Sequence, residues 1–245
     1  MKLKSNVIIT CKLIIVCALI WYLPTRVVSS VHIIDGFAQG KEAQPDTPVK
    51  PMAATKNKNI HIYNTHQAEE YQGFNVVEGA HYLKDSLIKR GYSCDVEGNN
   101  FEQYKNVHKI DYSQSYVVSK MYLEKALSSG GPYDLIIDMH RDSIDRGLST
   151  LTYNNVSYAK MMFVAGESSG KFDAVNRTSK DIATRLQAKV PGISRGVYPK
   201  KSHYNQGMSD HMVLIEIGGH QNNKQEIMAS LDVLCQVIDE YLSGS

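Results

Sequence analysis

The sequence has little excess charge and few cysteines. Among 245 residues, 27 Lys and Arg oppose 25 Asp and Glu, so nothing in the charge indicates nucleic acid as a partner. Of four cysteines, Cys11 and Cys17 lie in an N-terminal apolar stretch. The other two, Cys94 and Cys235, have no CxxC spacing, so a cysteine zinc site is not expected. A disulfide between them remains open for a protein outside the cytoplasm.

The N-terminal apolar run is shorter than an ordinary membrane span. Lys12 interrupts residues 7–23, and the 11 uninterrupted residues 13–23 match the core of a signal peptide rather than the roughly 20 residues of a spanning helix. Small residues at 28–30 offer a cleavage site; alternatively, Lys12 snorkels and the run stays as an anchor. We therefore predict a signal peptide or membrane anchor at 1–30 and an exported protein, secreted to the cell wall or membrane-anchored.

Residues 31–59 carry three prolines and no sustained apolar period, which is typical of a linker. Residues 60–242 alternate β-type runs with segments of helical period, whereas the polar stretch 97–113 is expected to be irregular. This alternation predicts one α/β domain with a central, mostly parallel sheet flanked by helices. The expected strands are 60–63, 92–96, 134–138, 150–153, 161–165 and 212–217, and the expected helices cover 76–87, 115–127, 175–189 and the segment opened by Asn223 and Glu226 as a capping box.

Polar residues follow the apolar strands at what should be one edge of the sheet. In open α/β sheets, sites gather at the carboxyl ends of the strands. His66 follows the first strand and His140 follows the strand at 134–138. Neutral imidazole is a common zinc ligand, and a catalytic zinc needs three protein ligands and one open position. We therefore predict that His66 and His140 bind one catalytic zinc in an extracytoplasmic hydrolase.

The third ligand is less certain from spacing. Glu69 lies three residues after His66, so one helical turn would place both on the same side. Glu70 and Glu78 are rivals, and a solvated turn at 69–70 is an equal alternative. Competing metal-binding histidines lie around the last strand: His203, His211 and His220.

Glu216 interrupts an otherwise apolar strand, and a buried carboxylate needs a partner or a role. It is either one half of a structural ion pair or a general base beside a metal site. Asp138 or Asp142 would hold an imidazole tautomer. Arg141 would bind an anionic group or a developing oxyanion, unless it forms a local ion pair.

These residues resemble the ordered motifs of the stage II sporulation protein P family over nearly all of 60–242. The motifs are specific in combination rather than singly. They are Ile62-Tyr63-Asn64-Thr65-His66-Gln67-Ala68-Glu69, Asp138-Met139-His140-Arg141-Asp142, Tyr204-Asn205-Gln206 and Leu214-Ile215-Glu216-Ile217-Gly218-Gly219.

The resemblance implies a membrane-anchored, zinc-dependent peptidoglycan hydrolase whose fold is related to N-acetylmuramoyl-L-alanine amidases. It implies zinc ligands His66, Glu69 and His140, with Glu216 as the catalytic acid. The expected activity is cleavage of the amide between N-acetylmuramic acid and the stem peptide, with endopeptidase activity on cross-links. Expected partners are peptidoglycan, a sporulation lytic transglycosylase and membrane proteins of engulfment.

Other functions suit the same residues. One is an endopeptidase that cuts only cross-links, and another is a non-catalytic wall-binding protein of the same fold. A wall hydrolase of another cellular context, or of a phage, would also carry these motifs. Our working hypothesis is metal-assisted amide hydrolysis with Glu216 and Arg141 as catalytic residues.

Overall fold

A computed structural model of the chain describes residues 55–244. The predicted signal peptide or anchor at 1–30 and most of the predicted linker at 31–59 lie outside the described residues, so those boundaries stay predictions. Within 55–244, no helix has the length and apolar character needed to cross a membrane.

One six-stranded sheet organises the described residues, with strand order β4-β1-β5-β10-β8-β9. The first four of these strands are mutually parallel; β8 is antiparallel to β10, and β9 is parallel to β8. Two small hairpins, β2–β3 and β6–β7, lie outside it. The strands are β1 (Asn59–Tyr63), β2 (Glu70–Tyr71), β3 (Phe74–Asn75), β4 (Ser93–Val96), β5 (Leu135–Asp142), β6 (Thr150–Tyr153), β7 (Val156–Ala159), β8 (Met161–Gly166), β9 (Ser194–Lys200) and β10 (Met212–Gly219).

Two of the helices begin with a capping box that the sequence supplies. Asn75 and Glu78 form a capping box at the first helix, and Asn223 and Glu226 form the predicted one at the last. Each box satisfies backbone N–H groups that the first turn leaves without partners. The helices are α1 (Val76–Ile88), α2 (Phe101–His108), α3 (Ser115–Gly130), α4 (Arg146–Ser149), α5 (Phe172–Lys189) and α6 (Lys224–Ser243).

Apolar residues fill both faces of the sheet. On one face, Ile60 and Ile62 of β1 pack in a cluster with residues of α1, α5 and α6. On the other face, Tyr63 and Ile136 pack with residues of α2 and α3. Strands buried on both sides read as continuous apolar runs, which is why β5 and β10 were predictable. The predicted α/β architecture with a mostly parallel sheet is confirmed.

The prediction for 97–113 was wrong, because this stretch contains α2 and a 3₁₀ turn at Tyr112–Gln114. Only Phe101 and Lys105 of α2 are buried, so the apolar period is too weak to reveal a helix. The available signal was the cap, since Asn100 accepts a hydrogen bond from the backbone N–H of Gln103. Strands β7 and β9 were also missed.

The two cysteines that the sequence left open for pairing are free thiols. Cys235 is buried in the cluster beneath α1 and α6, and Cys94 packs against the same cluster from β4. Burial raises the pKa of the Cys94 thiol to about 12, which keeps it protonated and unreactive.

Candidate active site

Three strand ends bring the predicted residues together. The parallel register of β1 and β5 pairs Tyr63 with Asp138, so the loop after β1 lies beside the last residues of β5. The register of β5 and β10 pairs His140 directly with Glu216. His66, His140 and Glu216 therefore lie on one edge of the sheet, as expected from the carboxyl-end rule.

The His140 imidazole is 2% exposed and lies between two carboxylates. Its Nδ1 lies 3.5 Å from Glu69 Oε2, and its Nε2 lies 2.9 Å from Asp138 Oδ1. Asp138 is itself held by Thr65, whose N–H and hydroxyl donate to its two oxygens at 2.9 and 2.7 Å. Asp138, rather than Asp142, is therefore the carboxylate that lies beside the imidazole.

The electrostatics of His140 indicate an excess of negative charge at the site. Burial by itself works to lower the pKa of His140. The neighbouring carboxylates Asp138, Glu69 and Glu216 outweigh burial and raise the pKa well above its ordinary value. Several carboxylates around one buried imidazole favour a cation at this place.

His66 presents a buried ring nitrogen to the same space. The His66 and His140 ring centroids are 5.3 Å apart. His66 Nδ1 is buried and has no hydrogen-bond partner within residues 55–244. Burial and the nearby His140 lower the pKa of His66, which keeps the imidazole neutral. A neutral imidazole is the form that binds a metal ion.

Among the three candidate acids, Glu69 lies at the histidines. The backbone N–H of Glu69 donates to His66 O at 3.0 Å, which closes the single turn expected between them. Glu69 Oε2 also accepts the backbone N–H of Arg141 at 2.8 Å. Glu70 is exposed on β2, and Glu78 belongs to the capping box of α1.

Glu216 is half-buried in β10. Its Oε2 is buried without a hydrogen-bond partner in the described part of the chain. Burial raises the pKa of Glu216 to about 7, with His140 opposing the rise and Glu69 adding to it. A carboxyl group with a pKa near neutrality both accepts and releases protons readily, which suits a general base that later acts as an acid.

The last two residues of β10, after Glu216, have room only for glycine. Gly218 has a φ of +64°, and the side-chain oxygen of Asn222 lies 2.7 Å from where its Cβ would be. A Cβ on Gly219 would lie 2.4 Å from the backbone oxygen of Ile144. The N–H of Gly219 donates to Asn222 Oδ1 at 2.8 Å. This close packing fixes the end of β10 and hence the carboxyl group of Glu216.

Replacing Gly219 by Ala should therefore destabilise the protein by about 1–3 kcal/mol, since the added methyl group meets rigid backbone. Gly147→Ala is the matched control, because a Cβ on Gly147 in α4 meets nothing within 4 Å. Thermal unfolding followed by circular dichroism measures both. Equal melting temperatures for the two variants would contradict the close contact at Gly219.

Arg141 is anchored locally. Its Nη1 donates to the backbone oxygen of Asp142 at 3.2 Å and contacts Ser143 Oγ at 3.5 Å. Its Nε is buried and has no hydrogen-bond partner among residues 55–244. Asp142 pairs instead with Arg195, at 2.6 Å. The Arg141 side chain thus keeps its Nε–H unpaired among residues 55–244, while its backbone N–H donates to Glu69.

The competing histidines lack the burial of His66 and His140. His203, His211 and His220 are exposed. His211 directly precedes β10, at the opposite end of the strand from Glu216. His220 directly follows β10, and its exposure alone distinguishes it from His66 and His140.

Sequence reasoning missed an aromatic wall over the histidines. Tyr112 stacks on the His66 ring at 4.6 Å with an interplanar angle of 20°. Tyr116 meets His66 edge-on at 5.6 Å and lies nearly parallel to the His140 ring at 6.4 Å. Tyr112 lies in the 3₁₀ turn, within the segment expected to be irregular, and Tyr116 lies at the start of α3.

The Tyr204-Asn205-Gln206 segment supports this wall through contacts to the helix that carries Tyr116. The Asn205 side chain donates to Tyr116 O at 3.1 Å and to Ser119 Oγ at 3.0 Å. Gln206 is buried, and its amide bridges Val164 O and the N–H of Gly166 on β8. These contacts are structural and support the aromatic wall from the neighbouring strand.

No group of three or more His, Cys, Asp or Glu side chains within 55–244 is arranged to hold a metal ion as it stands. The donor chemistry nevertheless fits a divalent cation. His66 Nδ1 is buried and has no hydrogen-bond partner within residues 55–244. His140 Nδ1 faces the carboxylate of Glu69, and further carboxylates lie near His140. Two imidazoles and one carboxylate are a typical protein ligand set for catalytic zinc.

Comparison with known families supports the sequence resemblance. Residues 32–239 match the model of the family "Stage II sporulation protein P". The protein of that name from Bacillus subtilis (strain 168) is 30% identical over 222 residues, which cover 82% of this chain and 55% of the relative. The chain thus spans about half the length of this curated relative.

A solved structure shares the fold. It is the CwlD amidase from Clostridioides difficile in complex with the GerS lipoprotein. The likeness has a TM-score of 0.55 and 15% identity, and it covers 77% of this chain and 100% of that chain. At this level of identity the likeness concerns architecture alone.

Proposed function

The chain belongs to the stage II sporulation protein P family, and on that premise we propose that it is a zinc-dependent peptidoglycan hydrolase. The proposed reaction is hydrolysis of the amide between N-acetylmuramic acid and the stem peptide. The observation that carries the proposal is the buried, unpartnered Oε2 of Glu216, in register with His140. No ion pair within residues 55–244 involves Glu216, which argues against a purely structural role.

His66, Glu69 and His140 would hold the metal ion in this proposal. When bound, zinc supplies Lewis acidity and a water molecule of lowered pKa. Asp138 fixes the orientation of the His140 ring through the Nε2 contact, and Thr65 fixes Asp138. Loss of such an outer partner typically weakens metal affinity.

Glu216 moves the proton in the proposed reaction. Its buried Oε2 accepts a proton from the attacking water and later delivers that proton to the nitrogen of the leaving amine. Burial matters here because it raises the pKa of Glu216 to about 7 and so keeps both forms accessible. Arg141 Nε is the available donor for the carbonyl oxygen as negative charge develops on it.

We propose that the domain works outside the cytoplasmic membrane, where peptidoglycan is. Sporulation is the proposed context because the family name and the Bacillus subtilis relative point to it. Exported or membrane proteins are the proposed partners. The structural neighbour from Clostridioides difficile, solved with a lipoprotein, supports this kind of partner.

Product analysis of purified peptidoglycan tests the function. We expect the full chain to release stem peptides with new N-terminal alanine and to leave peptide-free glycan. A chelator should abolish release, and zinc should restore it. Cut cross-links with stems still on the glycan would instead identify an endopeptidase. Binding to the wall without any product would identify a non-catalytic wall-binding protein.

A further inference from the structure

Tyr112 is a large aromatic ring that stays exposed at the candidate site. One face stacks on His66 at 4.6 Å, yet the residue is 57% exposed. Other tyrosines of the domain, such as Tyr63 and Tyr71, are 1% and 6% exposed. An exposed aromatic side chain directly beside catalytic groups is more typical of a ligand-binding surface than of a core position.

Ser115 and Lys105 fix the position of the Tyr112 ring. The Ser115 hydroxyl donates to Tyr112 O at 2.7 Å and accepts a hydrogen bond from Lys105 Nζ at 3.0 Å. Lys105 is 3% exposed, pairs with Glu102 Oε1 at 2.8 Å, and lies 5.1 Å from the centroid of the Tyr112 ring. The buried ammonium group of Lys105 limits the movement of the segment that carries Tyr112. The ring is therefore pre-organised, which lowers the entropic cost of binding.

We propose that Tyr112 is a stacking platform for the pyranose ring of the N-acetylmuramic acid that carries the scissile amide. This inference rests on the proposed function and names the part of the substrate that the site recognises. In muramic acid, three covalent bonds join the lactyl carbonyl carbon to C3 of the sugar. When that carbonyl lies at His66 and Glu216, the sugar therefore lies within reach of the Tyr112 ring that stacks on His66.

The chemistry of the two surfaces matches. The axial C–H groups of a pyranose form an apolar face, and an aromatic ring presents a negative face to such groups. Partial burial raises the pKa of the Tyr112 hydroxyl, and the negative charges of Glu69 and Glu216, the two carboxylates of the proposed reaction, add to the rise. The ring thus borders the reacting groups and stays neutral.

The platform also bears on which bond is cut. A cross-link lies farther along the stem peptide, so its hydrolysis would place no sugar on Tyr112. Binding of the glycan there therefore favours the lactyl amide over the cross-link. Loss of the ring should lower the amidase rate more than any endopeptidase rate.

Binding of peptide-free glycan tests the platform without relying on activity. The probe is a tetrasaccharide of alternating N-acetylglucosamine and N-acetylmuramic acid without stem peptides, titrated calorimetrically into the full chain. Tyr112→Ala should weaken binding by about 3- to 10-fold, the range for aromatic stacking, and Tyr112→Phe should bind as the unchanged protein does. Tyr198→Ala is the matched control and should bind unchanged, because Tyr198 is 56% exposed on β9 and has a lysine, Lys200, at its ring.

All titrations are repeated with a chelator, so that an effect of Tyr112 on a metal at His66 cannot enter the result. Equal glycan affinity of the unchanged protein and Tyr112→Ala would overturn the platform, as would equal losses in the Tyr112 and Tyr198 variants. Absence of glycan binding by the unchanged protein would overturn it as well.

The outcomes separate this inference from the proposed function. Tyr112-dependent glycan binding in a protein that cleaves no peptidoglycan would keep the platform and reject the hydrolase. If the protein cleaves peptidoglycan and Tyr112→Ala binds the glycan as tightly as the unchanged protein does, the platform alone is rejected.

Discussion

Glu216→Gln should lower the rate of peptidoglycan cleavage by about 10²- to 10⁴-fold, the usual contribution of a general acid–base group, while the zinc content stays unchanged. The amide of Gln has nearly the shape of the carboxyl group but cannot take a proton from water at neutral pH. Since Glu216 Oε2 has no hydrogen-bond partner in the described residues, the substitution breaks no structural contact of that atom. Release of stem peptides and metal analysis of the same sample measure both quantities.

Glu167→Gln is the control for this experiment, because Glu167 is exposed and directly follows β8, away from Glu216. It should retain full activity. Full activity in Glu216→Gln would eliminate the general-base role. Loss of zinc along with activity would instead assign Glu216 to the metal ligands and would leave the proton acceptor to be found elsewhere.

The sequence was most informative where strands are buried on both faces. β5 and β10 read as continuous apolar runs, so the polar residues that end them stood out. The sequence alone thus predicts that His140 and Glu216 lie at one edge of the sheet. Their direct pairing across β5 and β10 could not be predicted, because strand order and register depend on long-range contacts that leave no local pattern.

The choice of Glu69 illustrates the same limit. Spacing allowed Glu69, Glu70 and Glu78, because each lies within a dozen residues of His66. Tertiary contacts distinguish the three acids. The backbone N–H of Arg141, far along the chain, donates to Glu69. Glu78 instead accepts the backbone N–H of Asn75 in a helix cap. The capping box at 75–78 was readable from sequence and would have excluded Glu78.

The aromatic wall was hidden for a different reason. α2 buries few side chains, and its polar composition resembles that of a loop. The segment gains order from contacts to other elements, such as Gln67, which accepts from the N–H of Phe101 and donates to Asn99 O. Tertiary hydrogen bonds of this kind override a weak helical propensity. Tyr112 therefore enters the site through a segment that periodicity does not reveal, whereas Tyr116 lies in a helix that periodicity predicted.

Glu69→Gln should weaken zinc binding by more than the 10- to 100-fold that loss of an outer-shell partner usually causes, and peptidoglycan cleavage should fall with it. The neutral amide is a far poorer metal ligand than a carboxylate. Its side-chain oxygen still accepts the Arg141 N–H that now binds Glu69 Oε2, so the loop after β1 should keep its conformation. Zinc affinity is measured by competition with a chromophoric chelator.

The adjacent Glu70→Gln is the matched control, because the Glu70 residue is exposed. Glu70 pairs with Asn75 through the backbones of β2 and β3. Its zinc affinity should stay within about twofold, since exposed carboxylates away from a site contribute little. The reverse pattern, with zinc lost from Glu70→Gln and retained by Glu69→Gln, would mean that the turn closed by the Glu69 N–H and His66 O does not deliver the third ligand. The neighbouring acid would then have to rotate inward from β2, which the hairpin pairing of Tyr71 with Phe74 opposes.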